Sequence, residues 1–248
     1  MLGCEHCRGH YLGSMKDVSD PEVVYTTAME LAREGASGFL LSGGSDLEGS
    51  VPLEAHIGVL RKIRRDTPLM INLHTGLVTP DRVELIRSIP PHVVSLDMVG
   101  STETIREIYG LDLDVERFEN SYRFLKEACI KTVPHITVGL HRGVIKGEFR
   151  AVDMVSDTDL LVLNSLIPSH TGKRVCEDDF ISVLEYALDT IPGRVYLGCM
   201  RERGRSSLEI KALKAGASGI VIPGRKTLAW ARENGPFESV QTCCAVHR

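Results

Sequence analysis

The sequence lacks the features that define several large classes of protein. It has no excess of positive charge, since 29 Lys and Arg residues stand against 33 Asp and Glu residues. A protein that binds nucleic acid through its phosphates usually has a basic surface, so no nucleic-acid partner is expected. The sequence also lacks an apolar run near the roughly 20 residues that span a bilayer, and no signal peptide is recognisable. We therefore predict a soluble, cytoplasmic protein that does not bind membranes.

The sequence also lacks the cysteine pattern of a secreted disulfide scaffold, because its seven cysteines are an odd number without a secretion signal. Reduced thiols are expected instead. Cys129 is predicted to be a small buried residue on the helix before the fourth strand, and Cys243 and Cys244 are predicted to lie in a mobile tail. Cys4 and Cys7 form a C-x2-C motif close to Met1.

Short apolar, β-rich segments alternate with longer segments whose apolar residues are three and four apart, which indicates alternating strands and helices. The apolar runs are continuous, as in parallel strands that are buried on both faces. A chain of 248 residues can bury one large core. The predicted strands are Gly38–Leu41, Leu69–Leu73, Val93–Leu96, Val133–Val138, Asp159–Leu163, Arg194–Leu197 and Gly219–Ile222.

This alternation predicts an α/β fold, either a parallel (βα) barrel or a doubly wound sheet. Seven visible strands are one fewer than the eight of a closed barrel. We assign residues 1–233 to a barrel domain and residues 234–248 to a C-terminal tail.

Polar residues follow the strands, at the end where α/β barrels place their active sites. Asp97 is the most informative, because an unpaired buried carboxylate is costly and a ribose hydroxyl or a cation would satisfy it. Gly43 and Gly44 are compatible with a simple tight turn. Together with Asp97, the side chains of His74, His141 and Asn164 predict a site at this rim.

The C-x2-C motif of Cys4 and Cys7 has three interpretations. A structural zinc site usually needs a second pair of ligands at similar spacing, and the chain has none. A thioredoxin-like dithiol belongs to a much smaller fold. An iron–sulfur site is therefore favoured.

The chain resembles the radical SAM superfamily over about residues 1–233. The resemblance rests on Cys4-Glu5-His6-Cys7-Arg8-Gly9-His10-Tyr11, Ser42-Gly43-Gly44, Ser95-Leu96-Asp97 and Val138-Gly139. It implies a TIM-type (βα) barrel with a [4Fe–4S] cluster on C-x3-C-x2-C and with S-adenosylmethionine as cosubstrate. Cys4 and Cys7 match the second and third cysteines. The first cysteine would fall immediately before Met1, so the resemblance implies a chain truncated before that cysteine and before the first strand.

Within the superfamily, the chain is most similar to the biotin synthase and archaeal lipoyl synthase-like branch. By resemblance, Ser42, Gly43 and Gly44 receive the methionyl amino group, and Asp97 receives the ribose. Val138 and Gly139 lie against the adenine. Candidates for a substrate or auxiliary site are His74, His135, His141, Asn164, Cys199 and Arg201, with Cys176 as a further thiol near that site.

The implied activity is cleavage of S-adenosylmethionine to a 5′-deoxyadenosyl radical that activates a C–H bond, with sulfur insertion or another transferase reaction as its use. The implied partners are a small-molecule or carrier-bound substrate, a ferredoxin-like or flavodoxin-like electron donor, and a second radical SAM subunit. With two cysteines of the motif, weak binding of the cluster is expected.

Two alternatives remain open from the residues alone. The first is an ordinary barrel enzyme with His74, Asp97 and His141 for acid–base chemistry and Pro223-Gly224-Arg225-Lys226 as a phosphate-binding turn. The second is a non-catalytic partner subunit, which an exposed apolar edge at the first strand would favour.

Overall fold

The computed structural model describes residues 2–168, 172–240, 243 and 245–246. Within them, seven parallel strands form one curled sheet whose order follows the chain from β1 to β7. All seven predicted strands are confirmed, with ends that differ by at most two residues. The strands are β1 (Gly38–Leu41), β2 (Met70–His74), β3 (Val93–Asp97), β4 (Thr132–Val138), β5 (Leu160–Ser165), β6 (Arg194–Leu197) and β7 (Gly219–Ile220).

Helices connect the successive parallel strands. Asp20 caps the first helix by accepting a hydrogen bond from the Glu22 amide at 2.9 Å, and Pro21 occupies the first helical position. The helices are α1 (Pro21–Arg33), α2 (Ile57–Asp66), α3 (Pro80–Arg87), α4 (Thr102–Thr104), α5 (Val115–Glu127), α6 (Glu148–Asp153), α7 (Glu177–Thr190), α8 (Ser206–Ala215) and α9 (Arg225–Asn234). None of the described helices is long and apolar enough to cross a bilayer.

The strands divide their side chains between two environments, because successive residues of a strand point to opposite faces. One face packs against the helices and forms the main core, where Leu73, Leu96 and Leu161 are fully buried. The other face encloses the lumen and carries polar groups, among them Asn72 and Ser95, whose side chains are hydrogen-bonded at 3.0 Å. This alternation places the polar rim residues inside the curl of the sheet.

The C-terminal segment returns to the sheet. Ala245 is fully buried in a second apolar cluster with Val93, Val133, Leu160, Val162 and Tyr196. The Cys243 thiol accepts a hydrogen bond from the Asn72 amide at 3.5 Å. Cys243 is otherwise exposed, so the mobile tail stays a prediction for this residue, and Cys244 lies outside the described residues.

Cys129 is exposed, and the prediction that it is buried is wrong. It follows the C-terminal end of α5 and adopts a left-handed backbone conformation with φ of 57°. That conformation ends the helix and turns the side chain out of the core.

A buried ion pair holds the last two βα units together. The side chains of Arg201 and Glu209 are 2% and 3% exposed, and Arg201 Nη2 donates to Glu209 Oε1 at 2.7 Å. Arg201 also donates to the carbonyls of Val221 and Ile222, at 2.7 and 2.9 Å. These contacts join the β6–α8 loop, α8 and the end of β7, so Arg201 has a structural role in place of the predicted contact with a cluster or substrate.

The same ion pair bears on the predicted phosphate-binding turn. The amide of Gly224 donates to Glu209 Oε2 at 2.9 Å. A phosphate at the start of α9 would meet a carboxylate that already accepts this N–H group. The structure therefore disfavours the phosphate alternative.

We expect Arg201→Ala to lower the free energy of unfolding by about 3–5 kcal/mol, because it leaves the Glu209 carboxylate buried without its cation. Urea denaturation measures the change. Arg174→Ala is the matched control, since Arg174 is 58% exposed in its ion pair with Glu202 and its loss should cost about 1 kcal/mol or less. Equal losses for the two variants would show that the buried pair does not stabilise the fold.

Candidate active site

Three adjacent strand ends bring a serine, a histidine and an aspartate into one hydrogen-bonded chain. Ser42 follows β1, His74 ends β2 and Asp97 ends β3. His74 Nδ1 lies 3.0 Å from Ser42 Oγ, and His74 Nε2 lies 3.1 Å from Asp97 Oδ2. Both ring nitrogens of His74 therefore have a partner. The sequence predicted these three residues at the rim but not this connection between them.

Asp97 and His74 stabilise each other's charged forms. Desolvation in the barrel interior opposes ionisation of Asp97, but the charge and hydrogen bond of His74 outweigh it and hold the Asp97 pKa at about 2. Desolvation also lowers the His74 pKa, and the Asp97 charge and hydrogen bond reverse that effect, so the pKa is raised. The side chain of His74 is 29% exposed and that of Asp97 is 43% exposed. A small molecule can reach both from the lumen.

His135 and Asn164 continue the inner face of the sheet on β4 and β5. His135 Nδ1 donates to the Val133 carbonyl at 3.0 Å, and desolvation lowers the His135 pKa although Asp97 acts in the opposite direction. Asn164 is 6% exposed, and its Oδ1 has no hydrogen-bond donor among the described residues. A Cβ at position 198 would overlap this oxygen, so Gly198 makes room for it.

The loop that carries Cys4 and Cys7 is fixed to the rim by backbone and side-chain contacts. The Glu5 amide donates to the Ile108 carbonyl at 2.8 Å. Arg142 holds both oxygens of the Glu5 carboxylate, at 2.8 and 2.7 Å, and also contacts Glu107 at 2.7 Å. Glu5 and Arg142 were not predicted as site residues, because they are 137 positions apart and no local pattern in the sequence indicates their contact.

The thiol of Cys4 lies in an environment that disfavours its charged form. Burial, followed by the neighbouring Cys7, raises the Cys4 pKa to about 11. The Tyr109 pKa is also raised, by burial and then by the charges of Asp97, Cys4 and Cys7. The His6 and Tyr109 rings are 5.3 Å apart between centroids. Thiolates at this position therefore need a cation to stabilise them.

Among the described residues, Cys4 and Cys7 do not belong to a group of three His, Cys, Asp or Glu ligand atoms within 4.8 Å of one another. Such a group does occur at Glu103, Glu107 and His141. Arg142 and Lys146 form ion pairs with its two carboxylates, so it is already neutralised by protein cations. Within the group, His141 Nε2 lies 3.8 Å from Glu107 Oε2, and the other ring nitrogen, Nδ1, lies 3.2 Å from Thr104 Oγ1.

The remaining predicted site residues lie in different environments. The Val138 side chain is fully buried in the main core. Gly139 has φ of 74°, and its amide donates to Glu148 Oε1 at 2.9 Å. Cys199 is half-buried and Cys176 is exposed just before α7. Only the backbone at Val138 and Gly139 can therefore face a ligand at the rim.

A cavity of about 990 Å³ opens beside β1. Ser42, Gly43 and Gly44 line one part of it. Most of its other lining is apolar and includes Leu12, Met15, Leu31, Phe39, Leu40 and Leu53.

Solved structures identify the fold of this chain, whereas comparisons of its sequence give no match. No protein-family model matches the sequence, and no curated protein matches it. The [FeFe]-hydrogenase maturase HydG from Carboxydothermus hydrogenoformans is 15% identical over 89% of this chain and 55% of its own, with a TM-score of 0.65. Methylornithine synthase PylB is 18% identical over 80% and 60%, with a TM-score of 0.58. Elp3 from Methanocaldococcus infernus is 12% identical over 91% and 61%, with a TM-score of 0.53.

The chain has the radical SAM fold. The predicted α/β barrel architecture is thereby confirmed, as a partial barrel of seven parallel strands. The chain spans about 55 to 61% of the length of these three radical SAM structures. The branch within the superfamily and the truncation before the first cysteine stay predictions.

We expect Asp97→Asn to lower the pKa of His74, because it removes the charge that raises this pKa and leaves the desolvation that lowers it. A pH titration of the His74 ring signals by NMR measures the change. Asp66→Asn is the control, since Asp66 binds Tyr25 and Arg65 and should leave the His74 titration unchanged. An unchanged His74 pKa in Asp97→Asn would show that the pair does not form in solution.

Proposed function

We propose that the chain is a radical SAM protein that contributes Cys4 and Cys7 to a [4Fe–4S] cluster and binds S-adenosylmethionine at the rim of the sheet. The observation that carries the proposal is the position of the two thiols. The contacts of Glu5 with Arg142 and Ile108 hold them at the C-terminal ends of the strands, where Asp97 lies. Active sites of α/β barrels are built at this end.

The residues fit such a cluster in part. Thiolates are the usual ligands of iron–sulfur clusters, and two of them at C-x2-C spacing provide two of the three cysteines of the motif. The raised pKa of Cys4 is consistent with a site that needs the charge of bound iron. The described residues add no third ligand atom near both, so we expect this chain to hold the cluster weakly.

The cluster and S-adenosylmethionine would supply, when bound, a radical that removes hydrogen from a C–H bond. The protein residues would bind and orient the reactants. Asp97 is ionised, and its Oδ2 is taken by His74, which leaves Oδ1 to accept from a ribose hydroxyl. The Ser42-Gly43-Gly44 loop would receive the methionyl amino group, and the backbone at Val138 and Gly139 would face the adenine.

His135 and Asn164 would contact the substrate. Asn164 Oδ1 is buried and has no donor within the described chain, which suits a substrate N–H or O–H group. The substrate would be a small or carrier-bound molecule, and sulfur insertion is the reaction that the biotin synthase and lipoyl synthase-like resemblance favours. An electron donor of the ferredoxin or flavodoxin class would complete a cytoplasmic system.

One observation favours a second candidate function, that of a subunit paired with another radical SAM protein. β1 lies at the edge of the sheet, without a second neighbour among the described strands, and Leu40 in it is 47% exposed. Exposed apolar edge strands are sites of association. Light scattering of the purified chain, alone and with a complete radical SAM protein, would separate the two functions.

We expect the chain to retain well under one cluster after anaerobic reconstitution, because two thiolates do not complete the motif. A cysteine placed directly before Met1 restores C-x3-C-x2-C and should raise the content to about four iron atoms and four sulfides per chain. A serine at the same place is the matched control and should not raise it. Iron and sulfide analysis measures the difference.

Cys4→Ser in the chain with the added cysteine should abolish the gain, because it removes a ligand of the same cluster. Equal iron contents for the added cysteine and the added serine would contradict the proposed site. About four irons in the unmodified chain would contradict the expected weak binding and would show that the third ligand comes from elsewhere in the chain.

A further inference from the structure

The hydrogen-bonded chain of Ser42, His74 and Asp97 has the connectivity of an activated nucleophile. A nucleophilic hydroxyl needs a base within hydrogen-bond reach and a third group that orients the base. Here the base is His74, 3.0 Å from the Ser42 hydroxyl, and the orienting group is Asp97, 3.1 Å from the opposite ring nitrogen. The proposed binding of S-adenosylmethionine uses Asp97 and the Ser42 loop as ligand contacts, but it gives no role to the Ser42 hydroxyl as a nucleophile or to the His74 ring as a base.

The orientation of the histidine ring follows from the ionised aspartate. A carboxylate accepts hydrogen bonds, so it holds the proton of neutral His74 on Nε2. The lone pair of Nδ1 then faces the Ser42 hydroxyl. The ring is reversed relative to the serine proteases, in which Nε2 contacts the serine, so the two nitrogens exchange tasks: Nδ1 is the base and Nε2 is held by the carboxylate.

Two amide groups next to the hydroxyl are available for an oxyanion. Among the described residues, the N–H groups of Gly43 and Gly44 have no intramolecular acceptor. They directly follow Ser42 in sequence. The space at Gly43 is limited, because a Cβ there would lie 3.2 Å from Val51 Cγ1. Backbone N–H groups beside a nucleophile are the usual means of stabilising a developing oxyanion.

The Ser42 residue borders a largely apolar cavity beside β1. Its volume is about 990 Å³, and the Ser42-Gly43-Gly44 loop forms part of its wall. The rest of the wall is largely aliphatic and aromatic, with Leu31, Phe39 and Leu40 as examples. An acyl chain bound in this cavity would bring its carbonyl carbon close to the Ser42 hydroxyl.

We propose that Ser42 is a nucleophile with His74 as its general base and Asp97 as the positioning residue, and that its substrates are esters or thioesters of an apolar acyl group. In the first step, the bond from Ser42 Oγ to the acyl carbon forms, and the hydroxyl proton passes to His74 Nδ1. The bond to the alcohol or thiol then breaks, and the leaving group takes that proton. Water hydrolyses the acyl-serine and releases the acid, so the step needs no redox partner and goes beyond the radical SAM proposal.

The test uses the full chain without added iron, so its outcome is independent of cluster binding. A fluorophosphonate probe should modify Ser42 once, with formation of the Oγ–P bond and loss of fluoride. Intact mass and peptide mapping measure the adduct. Ser42→Ala should abolish it, whereas Ser45→Ala, three residues along the same loop, should leave it unchanged.

His74→Gln should slow the modification by about 100-fold or more, the range that general-base catalysis provides. Asp97→Asn should slow it too, and the double variant should be no slower than His74→Gln, because residues that act as one unit are not additive. This non-additivity separates a positioning role from a general loss of structure. Circular dichroism of each variant checks its fold.

Hydrolysis of p-nitrophenyl hexanoate and acetate tests the acyl part of the proposal. The hexanoate should have at least about a tenfold higher kcat/KM, because its longer chain buries more apolar surface. Equal values would overturn the assignment of the cavity. The nucleophile proposal is overturned if the wild-type chain acquires no adduct, if the adduct persists in Ser42→Ala, or if His74→Gln reacts at the wild-type rate.

Discussion

The negative charge of Asp97 is the constraint on which the candidate site depends. A carboxylate in the interior of a barrel is costly unless a cation or hydrogen-bond donors compensate for it. His74 provides this compensation, and the ring that binds Asp97 on one side reaches Ser42 on the other. The same charge acts on the thiol of Cys4, where it adds to the effects of burial and of Cys7. The Asp97 carboxylate therefore orients the His74 ring, and its negative charge also favours a cation near Cys4.

The loop with the two cysteines depends on contacts that are distant in the sequence. Arg142 follows β4, yet it holds both carboxylate oxygens of Glu5, which lies between Cys4 and Cys7. The pKa of Glu5 is lowered, above all by its hydrogen bond to Arg142. The pair lies near the surface, so its energy is modest by itself. Its importance is geometric, since together with the contact from Glu5 to Ile108 it fixes where the thiols face.

The strands and the rim could be predicted because both follow from local patterns. A parallel strand buried on both faces is a continuous apolar run, and the polar residues after such runs must meet at one edge. That reasoning correctly predicted Asp97 and His74 as residues of the rim. It assigned Arg201 to the site, whereas the structure has this side chain in a buried ion pair with Glu209. An arginine at the rim and an arginine buried against a carboxylate have the same local sequence pattern. Local patterns did not predict the burial of Ala245, because that burial depends on the C-terminal segment packing back against the sheet. They gave the wrong burial for Cys129, because its exposure depends on a left-handed backbone conformation.

The two proposals place demands on the same atoms. Ser42 Oγ and Asp97 Oδ2 both contact the His74 ring, so a ligand that binds either atom shares that atom with the ring. A carboxylate oxygen can accept more than one hydrogen bond, and a ligand on Asp97 therefore weakens the contact with His74 without having to break it. A ribose on Asp97 Oδ1 leaves Oδ2 to His74 alone, whereas a ribose on Oδ2 shares that oxygen with His74. The same loop can therefore receive a methionyl group or activate a hydroxyl, but one molecule of the protein cannot do both with the Ser42 side chain at once. The atom of Asp97 that a nucleoside contacts therefore decides how strongly the carboxylate holds the His74 ring.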